Sequence, residues 1–149
     1  MNRKVILVML MGFACVCGAF AGNRLSTRTG SMDAPEGYTY NKGISDHMNM
    51  EVYSPADARG GIAFGVQESQ GDITPSAMAT VLANALMQDG VHTTMTTKDG
   101  TPVHVVTSKD GETVLAIAGD RRDKAYTVVI FRGSAASQAQ ALLKTFKKK

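Results

Sequence analysis

The sequence predicts an α+β fold in which an antiparallel sheet of about six strands packs with two helices. Three observations support this: short segments with period-2 apolar alternation, two segments with helical apolar periodicity, and Asp-Gly pairs between strands. The predicted order is β-β-α-β-β-β-β-α. Because each helix has one apolar stripe, we expect helices on both faces of the sheet, an α/β/α-type sandwich.

The first 21 residues have the organisation of a secretory signal peptide. A short basic start precedes an apolar run over residues 5–20, and Ala19 and Ala21 give the small-x-small pattern of a cleavage site. This run is at the short end of the roughly 17–25 residues that a membrane-spanning helix needs. We therefore expect cleavage before Gly22 and a periplasmic or secreted protein without a membrane span.

Both cysteines, Cys15 and Cys17, lie in this segment. The residues before them fit a lipoprotein site badly, so lipidation is the less favoured alternative. Cleavage would leave a domain without cysteine, which excludes disulfides, thiolate metal sites and a cysteine nucleophile. It would also remove Arg3 and Lys4 and lower the net charge from +3 to +1, so the overall charge gives no reason to expect nucleic-acid binding.

The segment over residues 22–37 is polar and small, and it lacks apolar periodicity. We expect a flexible leader there, followed by a single domain over residues 38–149. Residues 44–53 and 62–68 alternate in the manner of two half-buried strands. Their apolar faces consist of Met48, Met50 and Val52, and of Ile62, Phe64 and Val66.

The first helix is predicted to start at Pro75. Thr74 is expected to cap its N-terminus, and Pro75 suits the first helical position because no N–H is needed there. Gly90 is expected to end this segment in a left-handed conformation. The apolar stripe at i, i+3, i+4, i+7 and i+8 consists of Met78, Val81, Leu82, Ala85 and Leu86.

Four strands and a closing helix are predicted after the first helix. Asp99-Gly100 and Asp110-Gly111 are expected to form hairpin turns. Val114–Ala118 and Tyr126–Phe131 are apolar on both faces, as strands covered on both sides of a sheet are. The stripe of the closing helix consists of Ala135, Ala139, Leu142, Leu143 and Phe146.

This layout resembles the PsbP-like family and its bacterial relatives of the DcrB type. The similarity rests on the two strands before the first helix, on the four-strand meander, and on the ending Leu142-Leu143-Lys144-Thr145-Phe146-Lys147, which is similar to the "ilkSfk" ending common in that family. Where the family often has Pro-Gly-Trp, this chain has Pro35-Glu36-Gly37-Tyr38. The resemblance covers most of residues 38–147 and implies an exported domain with an accessory or binding role.

The histidines are the candidate metal ligands. His92 and His104 flank the first predicted hairpin turn, so they can stand near each other on neighbouring strands. With His47, Met48 and Met50 they would form a His/Met set that suits copper or zinc. The simpler interpretation makes both methionines core residues on the face opposite His47. We therefore expect no bound cofactor.

No residue pattern indicates catalysis. The chain has no G-x-S-x-G nucleophile elbow, and Ser134 and Ser137, at a strand-to-helix turn, are expected to cap the closing helix. The carboxylates lie singly on strands or in turns. The sequence therefore predicts a protein that is not an enzyme.

A charged hairpin tip contains Arg121, Arg122 and Lys124, the candidate partner-binding residues, because exposed loop tips often carry binding groups. The lysines near the C-terminus are expected to be a solvated helix end. We expect a non-catalytic exported accessory protein that binds a protein partner of the cell envelope. The alternative is a carrier of a small ligand or a metal ion.

Overall fold

A computed structural model describes residues 24–43, 45 and 50–149. The predicted signal peptide, its cleavage site between Ala21 and Gly22, and the candidate ligands His47 and Met48 lie outside the described residues. Within the described part of the chain, no helix combines the length and hydropathy needed to cross a membrane.

Ten strands and two α-helices make up the described fold. The strands are β1 (Arg24–Ser26), β2 (Gly30–Asp33), β3 (Thr39–Tyr40), β4 (Glu51–Ser54), β5 (Gly60–Glu68), β6 (Val91–Thr96), β7 (Pro102–Thr107), β8 (Thr113–Ala118), β9 (Ala125–Gly133) and β10 (Lys147–Lys148). The helices are α1 (Pro75–Asn84) and α2 (Ala139–Leu143), and a 3-10 turn over Ala136–Gln138 precedes α2.

Seven strands form one antiparallel sheet in the order β3-β4-β5-β9-β8-β7-β6, and β1, β2 and β10 form a second sheet in the order β1-β2-β10. The predicted α+β class is confirmed. From β4 to α2 the elements follow one another as predicted, with α1 between β5 and β6. The main sheet has one strand more than expected because the two-residue β3 adds to its edge.

Helix α1 packs on β7 and β8 and covers one face of the main sheet. Thr74 caps it as predicted, since its hydroxyl accepts a hydrogen bond from the Ala77 N–H at 3.1 Å. The predicted stripe is confirmed for Met78, Leu82 and Leu86, whereas Val81, 59% exposed, and Ala85 face away from the sheet. The residues that face the sheet include alanines, which allow the helix to approach the strands closely. They are Pro75, Met78, Ala79, Leu82 and Ala83.

The second sheet and α2 cover the other face of the main sheet. The predicted stripe of the closing helix is buried in full, and so are the inward residues of β8 and β9. Residues 24–33 differ from the flexible leader expected there. Leu25 and Met32 are fully buried, because β1 pairs with β2 and thereby closes this side of the core.

The strand predicted over residues 44–53 is confirmed only at its end, since β4 starts at Glu51. Ser45 lies instead in a helical turn, where its N–H donates to the Asn41 carbonyl at 3.0 Å. The Ser45 hydroxyl also accepts a hydrogen bond from the Val52 N–H at 2.8 Å. The segment therefore turns back and contacts β4 through a side chain.

The two predicted Asp-Gly turns are confirmed, and the predicted left-handed glycine after α1 is not. Gly100 and Gly111 have φ of 86° and 74°, as their Asp-Gly turns require. After α1 the left-handed residue is Asp89, with φ of 51°, and the prediction for Gly90 is wrong. An added Cβ at Gly90 would lie 2.5 Å from Val106. The glycine therefore lets the chain pass close to β7.

Candidate binding surfaces

The predicted partner-binding residues lie on the turn between β8 and β9. Arg121, Arg122 and Lys124 are exposed. The Arg122 N–H donates to the Asp120 carboxylate at 3.1 Å, and this hydrogen bond and the nearby guanidinium lower the pKa of Asp120. The Asp123 carboxylate accepts from the Asp120 N–H at 2.8 Å. The acidic residues thus shape the turn, and the cations project from it.

Strand β10 connects this turn to the turn between β6 and β7. The Lys148 ammonium lies 3.1 Å from the Asp123 carboxylate, and the Lys148 N–H donates to the Asp99 carboxylate at 2.8 Å. Lys144 lies exposed at the C-terminal end of α2, as expected for a solvated helix end, whereas Lys148 in β10 is part of this surface. We call it the basic end: Lys98, Arg121, Arg122, Lys124, Lys147, Lys148 and Lys149.

The edge strand β6 is a second exposed surface, which the sequence analysis did not identify. All of its residues except Met95 are exposed, and it pairs only with β7. It contains no Pro, Lys, Glu or bulge, the features with which most proteins protect an edge strand. The opposite edge, β3, is only two residues long.

The structure brings two of the histidines to one face of the sheet. His92 is paired with Val106 and His104 with Thr94, so the two rings are diagonal neighbours on the face that α1 covers. Burial lowers the pKa of His104. Met50 is four strand spacings away from β7, roughly 19 Å at the usual strand separation. The structure therefore does not bring Met50 together with these histidines.

The described residues contain no group of three or more histidine, cysteine or acidic side chains arranged to hold a metal ion. The pair of His92 and His104 can supply two ligands of the usual four in a zinc site. The remaining two ligands would have to come from another molecule.

The serines at the end of β9 do not cap α2, which has no side-chain cap. Ser137 donates to the Ser134 carbonyl at 3.1 Å, and the Ser134 hydroxyl lies 3.3 Å from the Tyr38 hydroxyl. No histidine of the described chain is among these partners. The caps fail because the chain passes from β9 through a 3-10 turn, which leaves no extended residue before α2.

A pocket on the α1 side of the sheet was also not predicted. It has a volume of about 550 Å³. Its lining includes Arg59, Arg132, Val52, Ala63 and Ile130, two cationic side chains beside three apolar ones. The sequence offered only a weak indication, small residues at alternate positions of β5.

Comparison with solved structures identifies the fold. The solution structure of cyanobacterial PsbP (CyanoP) from Synechocystis sp. PCC 6803 is similar over 91% of this chain and 98% of that chain, with a TM-score of 0.52 and 13% identity. The chain has the PsbP fold. This confirms the fold that the family resemblance implied. At this identity the similarity concerns the architecture alone.

A crystal structure from Bacteroides thetaiotaomicron VPI-5482 also has this fold, with a TM-score of 0.52 and 14% identity. The match covers 87% of the present chain and 49% of that chain, so the PsbP fold forms about half of the Bacteroides protein. No protein-family profile matches the sequence, and neither does any curated protein.

Proposed function

We propose that this PsbP-fold protein is a non-catalytic accessory protein, exported to the periplasm or secreted, which binds a protein partner of the cell envelope. The observation that carries the proposal is the open edge of β6. Export is supported by the sequence of residues 1–22, and an accessory role by the resemblance of the sequence to the PsbP-like family.

The outward groups of β6 follow from its register. The Thr97 N–H donates to the Thr101 carbonyl at 3.0 Å, and bonds to the partner strand alternate from there. Met95, Thr93 and Val91 therefore bond to β7. The N–H and C=O groups of His92, Thr94 and Thr96 point away from the sheet and are available to an added strand.

A pocket beside β6 gives such a strand side-chain contacts. It has a volume of about 340 Å³ and lies between the β6 residues Thr93 and Met95 and the α2 residues Ala139 and Leu143. Side chains of an added strand alternate between the two faces, so every second one would lie near this pocket. Main-chain bonds would supply affinity, and the pocket would supply selectivity.

The basic end begins where β6 ends, because the turn after Thr96 contains Lys98 and Asp99. It has seven basic residues, and the carboxylates among them are Asp99, Asp120 and Asp123. A partner with acidic residues next to its docking strand would fit both surfaces. Such charges mainly increase the rate of association.

The edge is tested by Thr94→Pro, with Thr94→Ala as the matched control. Proline removes one outward N–H and leaves the bonds between β6 and β7 in place. In cross-linked envelope extract of the source organism, both the wild-type protein and Thr94→Ala should capture a partner. We expect roughly five-fold less of it with Thr94→Pro, since one lost hydrogen bond is worth about 1 kcal/mol.

Equal capture by both Thr94 variants would exclude the edge as the docking site. The triple variant Arg121→Glu, Arg122→Glu, Lys124→Glu tests the basic end, and we expect it to slow association most at low salt. The absence of any captured partner, together with turnover of a screened substrate, would overturn the proposal.

A metal carrier is the second candidate, favoured by the position of His92 and His104 on one face. Native mass spectrometry of protein from its own host distinguishes the two functions. Retained copper or zinc that is lost in a His92→Gln, His104→Gln variant would support the carrier. A mass without metal would favour the protein-binding function.

A further inference from the structure

A groove runs along β5 on the face of the main sheet that α1 covers only in part. It joins the pocket of about 550 Å³ to a second pocket of about 320 Å³, and Ile130 lines both. Helix α1 packs on β7 and β8, and among the described elements it makes no extensive contact with β4 or β5. The second pocket has the α1 side chain Leu82 and, beyond the helix, Leu86 as one wall.

The floor of this β5 groove consists of small residues. Gly61, Ala63 and Gly65 occupy the positions of β5 that face the α1 side, because Ala63 pairs with Val52 of β4 and Ile130 of β9. The Met50 side chain lies over Gly65, 3.0 Å from where an added Cβ would be, and narrows the trough there. The larger residues of the flanking strands therefore form two walls. The result is a trough with an apolar lining.

Two arginines lie at one end of the trough. The Ser134 N–H donates to the Arg59 carbonyl at 3.1 Å, and Arg132 pairs with Gly61. Arg59 and Arg132 are therefore diagonal neighbours on the same face. Their backbone is fixed by close packing, since an added Cβ at Gly133 would lie 2.2 Å from the Arg59 carbonyl oxygen.

Neither guanidinium group has an ion pair or hydrogen bond with a described residue. By contrast, Arg24 pairs with Asp33, and Arg28 pairs with Glu68. The carboxylate of Asp57, in the same turn as Arg59, accepts the Arg59 main-chain N–H at 3.0 Å instead. The trough thus combines an apolar floor with two positive charges at one end, neither of which forms an ion pair with a described side chain.

We propose that the β5 groove binds an amphiphilic anion, a carboxylate or phosphate attached to an apolar chain. Arg59 and Arg132 would hold the anionic group, because guanidinium groups match the oxygens of carboxylates and phosphates. The chain would lie over Gly61 and Ala63 toward Leu82. From Arg132 to Val128 the trough measures roughly 13 Å at the usual strand rise.

The ligand could be a free amphiphile or the headgroup region of a membrane lipid, and the chemistry at the arginines is the same. Calorimetry of the purified protein with dodecanoate and with dodecyl phosphate, both below their micelle concentrations, tests the free form. Vesicles of phosphatidylcholine with and without phosphatidylglycerol test the lipid form. Dodecyltrimethylammonium is the charge control, because it has the same chain as dodecyl phosphate and the opposite charge.

We expect the anions, or the anionic vesicles, to bind at least ten-fold more tightly than the cationic or neutral counterparts. Arg59→Gln with Arg132→Gln should remove that preference. Arg121→Gln with Arg122→Gln makes the same change in net charge at another surface and should leave binding unchanged. Equal affinity for dodecanoate and dodecyltrimethylammonium, or no binding of any probe, would overturn the proposal.

Filling the groove is an independent test. An added Cβ at Gly61 would meet nothing closer than the Tyr53 carbonyl oxygen at 3.6 Å. Gly61→Leu should therefore fold and occupy the trough with its side chain, which circular dichroism and the melting temperature would verify. We expect it to reduce dodecanoate binding at least ten-fold. Undiminished binding by the folded variant would place the ligand elsewhere.

The groove and the open edge of β6 can be tested separately. Strands β9, β8 and β7 lie between β5 and β6 in the sheet. Thr94→Pro should leave dodecanoate binding unchanged, and Gly61→Leu should leave partner capture unchanged. Either proposal can therefore fail while the other stands.

Discussion

The main-chain N–H of Lys148 donates a hydrogen bond of 2.8 Å to the carboxylate of Asp99, which lies in the turn between β6 and β7. The same carboxylate accepts the Thr97 and Thr101 hydroxyls and the Thr101 N–H. Burial alone would raise the pKa of Asp99, but these four hydrogen bonds lower it to about 2. One side chain thus shapes a hairpin turn and attaches the C-terminal strand to it.

Asp99→Asn should lower the free energy of unfolding at pH 7 by about 1 kcal/mol, a modest value because the side chain is exposed. The folded pKa lies below the ordinary value of 3.8, so the stabilisation is present above pH 3.8 and disappears as the pH falls toward 2. Urea unfolding at several pH values measures this. Asp110→Asn, in the next hairpin turn, is the control without a bond to β10. If truncation after Lys147 left the effect of Asp99→Asn unchanged, the bond to Lys148 would have no energetic role.

The register of β6 predicts that proline at two adjacent positions lowers the free energy of unfolding by different amounts. Thr93→Pro removes a hydrogen bond to β7 and should cost about 2 kcal/mol or more. Thr94→Pro removes only an outward N–H and should cost less than about 1 kcal/mol. Thermal unfolding followed by circular dichroism compares the two, with alanine at each position as the reference. Equal destabilisation would mean that the assignment of inward and outward groups is wrong.

Two strand glycines should respond differently to alanine. At Gly30 an added Cβ would lie 2.3 Å from the ring of Phe146, which is buried in the core. Gly30→Ala should therefore cost about 2 kcal/mol through overpacking. Gly61→Ala should be neutral or slightly stabilising, because its Cβ has room. The shift of the urea unfolding midpoint, at an unchanged dependence on urea concentration, gives the change in the free energy of unfolding for each variant. A neutral Gly30→Ala would contradict the packing of Phe146.

His104 should make stability depend on pH below neutrality. Burial lowers its pKa in the folded state below the ordinary 6.5. The unfolded chain therefore takes up the proton first, and stability falls as the pH drops through 6.5 toward the lower pKa of the folded state. His104→Gln should reduce this slope. An NMR titration of the ring should give a midpoint below 6.5, and a midpoint above it would contradict the prediction.

The sequence predicted those elements well that local backbone chemistry determines or that bulky buried residues mark. The capping of α1 by Thr74 and the turns at Gly100 and Gly111 follow from local geometry alone, and the structure contains all three. The buried stripe of α2 was predicted because bulky residues mark it. In α1 two of the five predicted positions, Val81 and Ala85, are exposed, and Ala79 and Ala83 face the sheet instead, because apolar size does not reveal buried alanines.

Long-range pairing was beyond what the sequence could indicate. Residues 24–33 are polar in composition, and their strands depend on neighbours distant along the chain, such as Lys147 beside Ser31. The basic end has the same origin, because β10 adds Lys148 to a turn that already has Arg121 and Arg122. The β5 groove depends on the limited extent of α1 over the sheet, which no local pattern encodes.

The pairing of Gly30 with Lys148 has a consequence for biogenesis. Strand β2 gains its second neighbour only after nearly the whole domain has been synthesised, and closing so long a loop is slow. Until then Leu25 and Met32 have no complete core to enter. A chain delayed in this way stays unfolded for longer, which would suit the export proposed above, because a narrow secretion channel accepts only an unfolded chain.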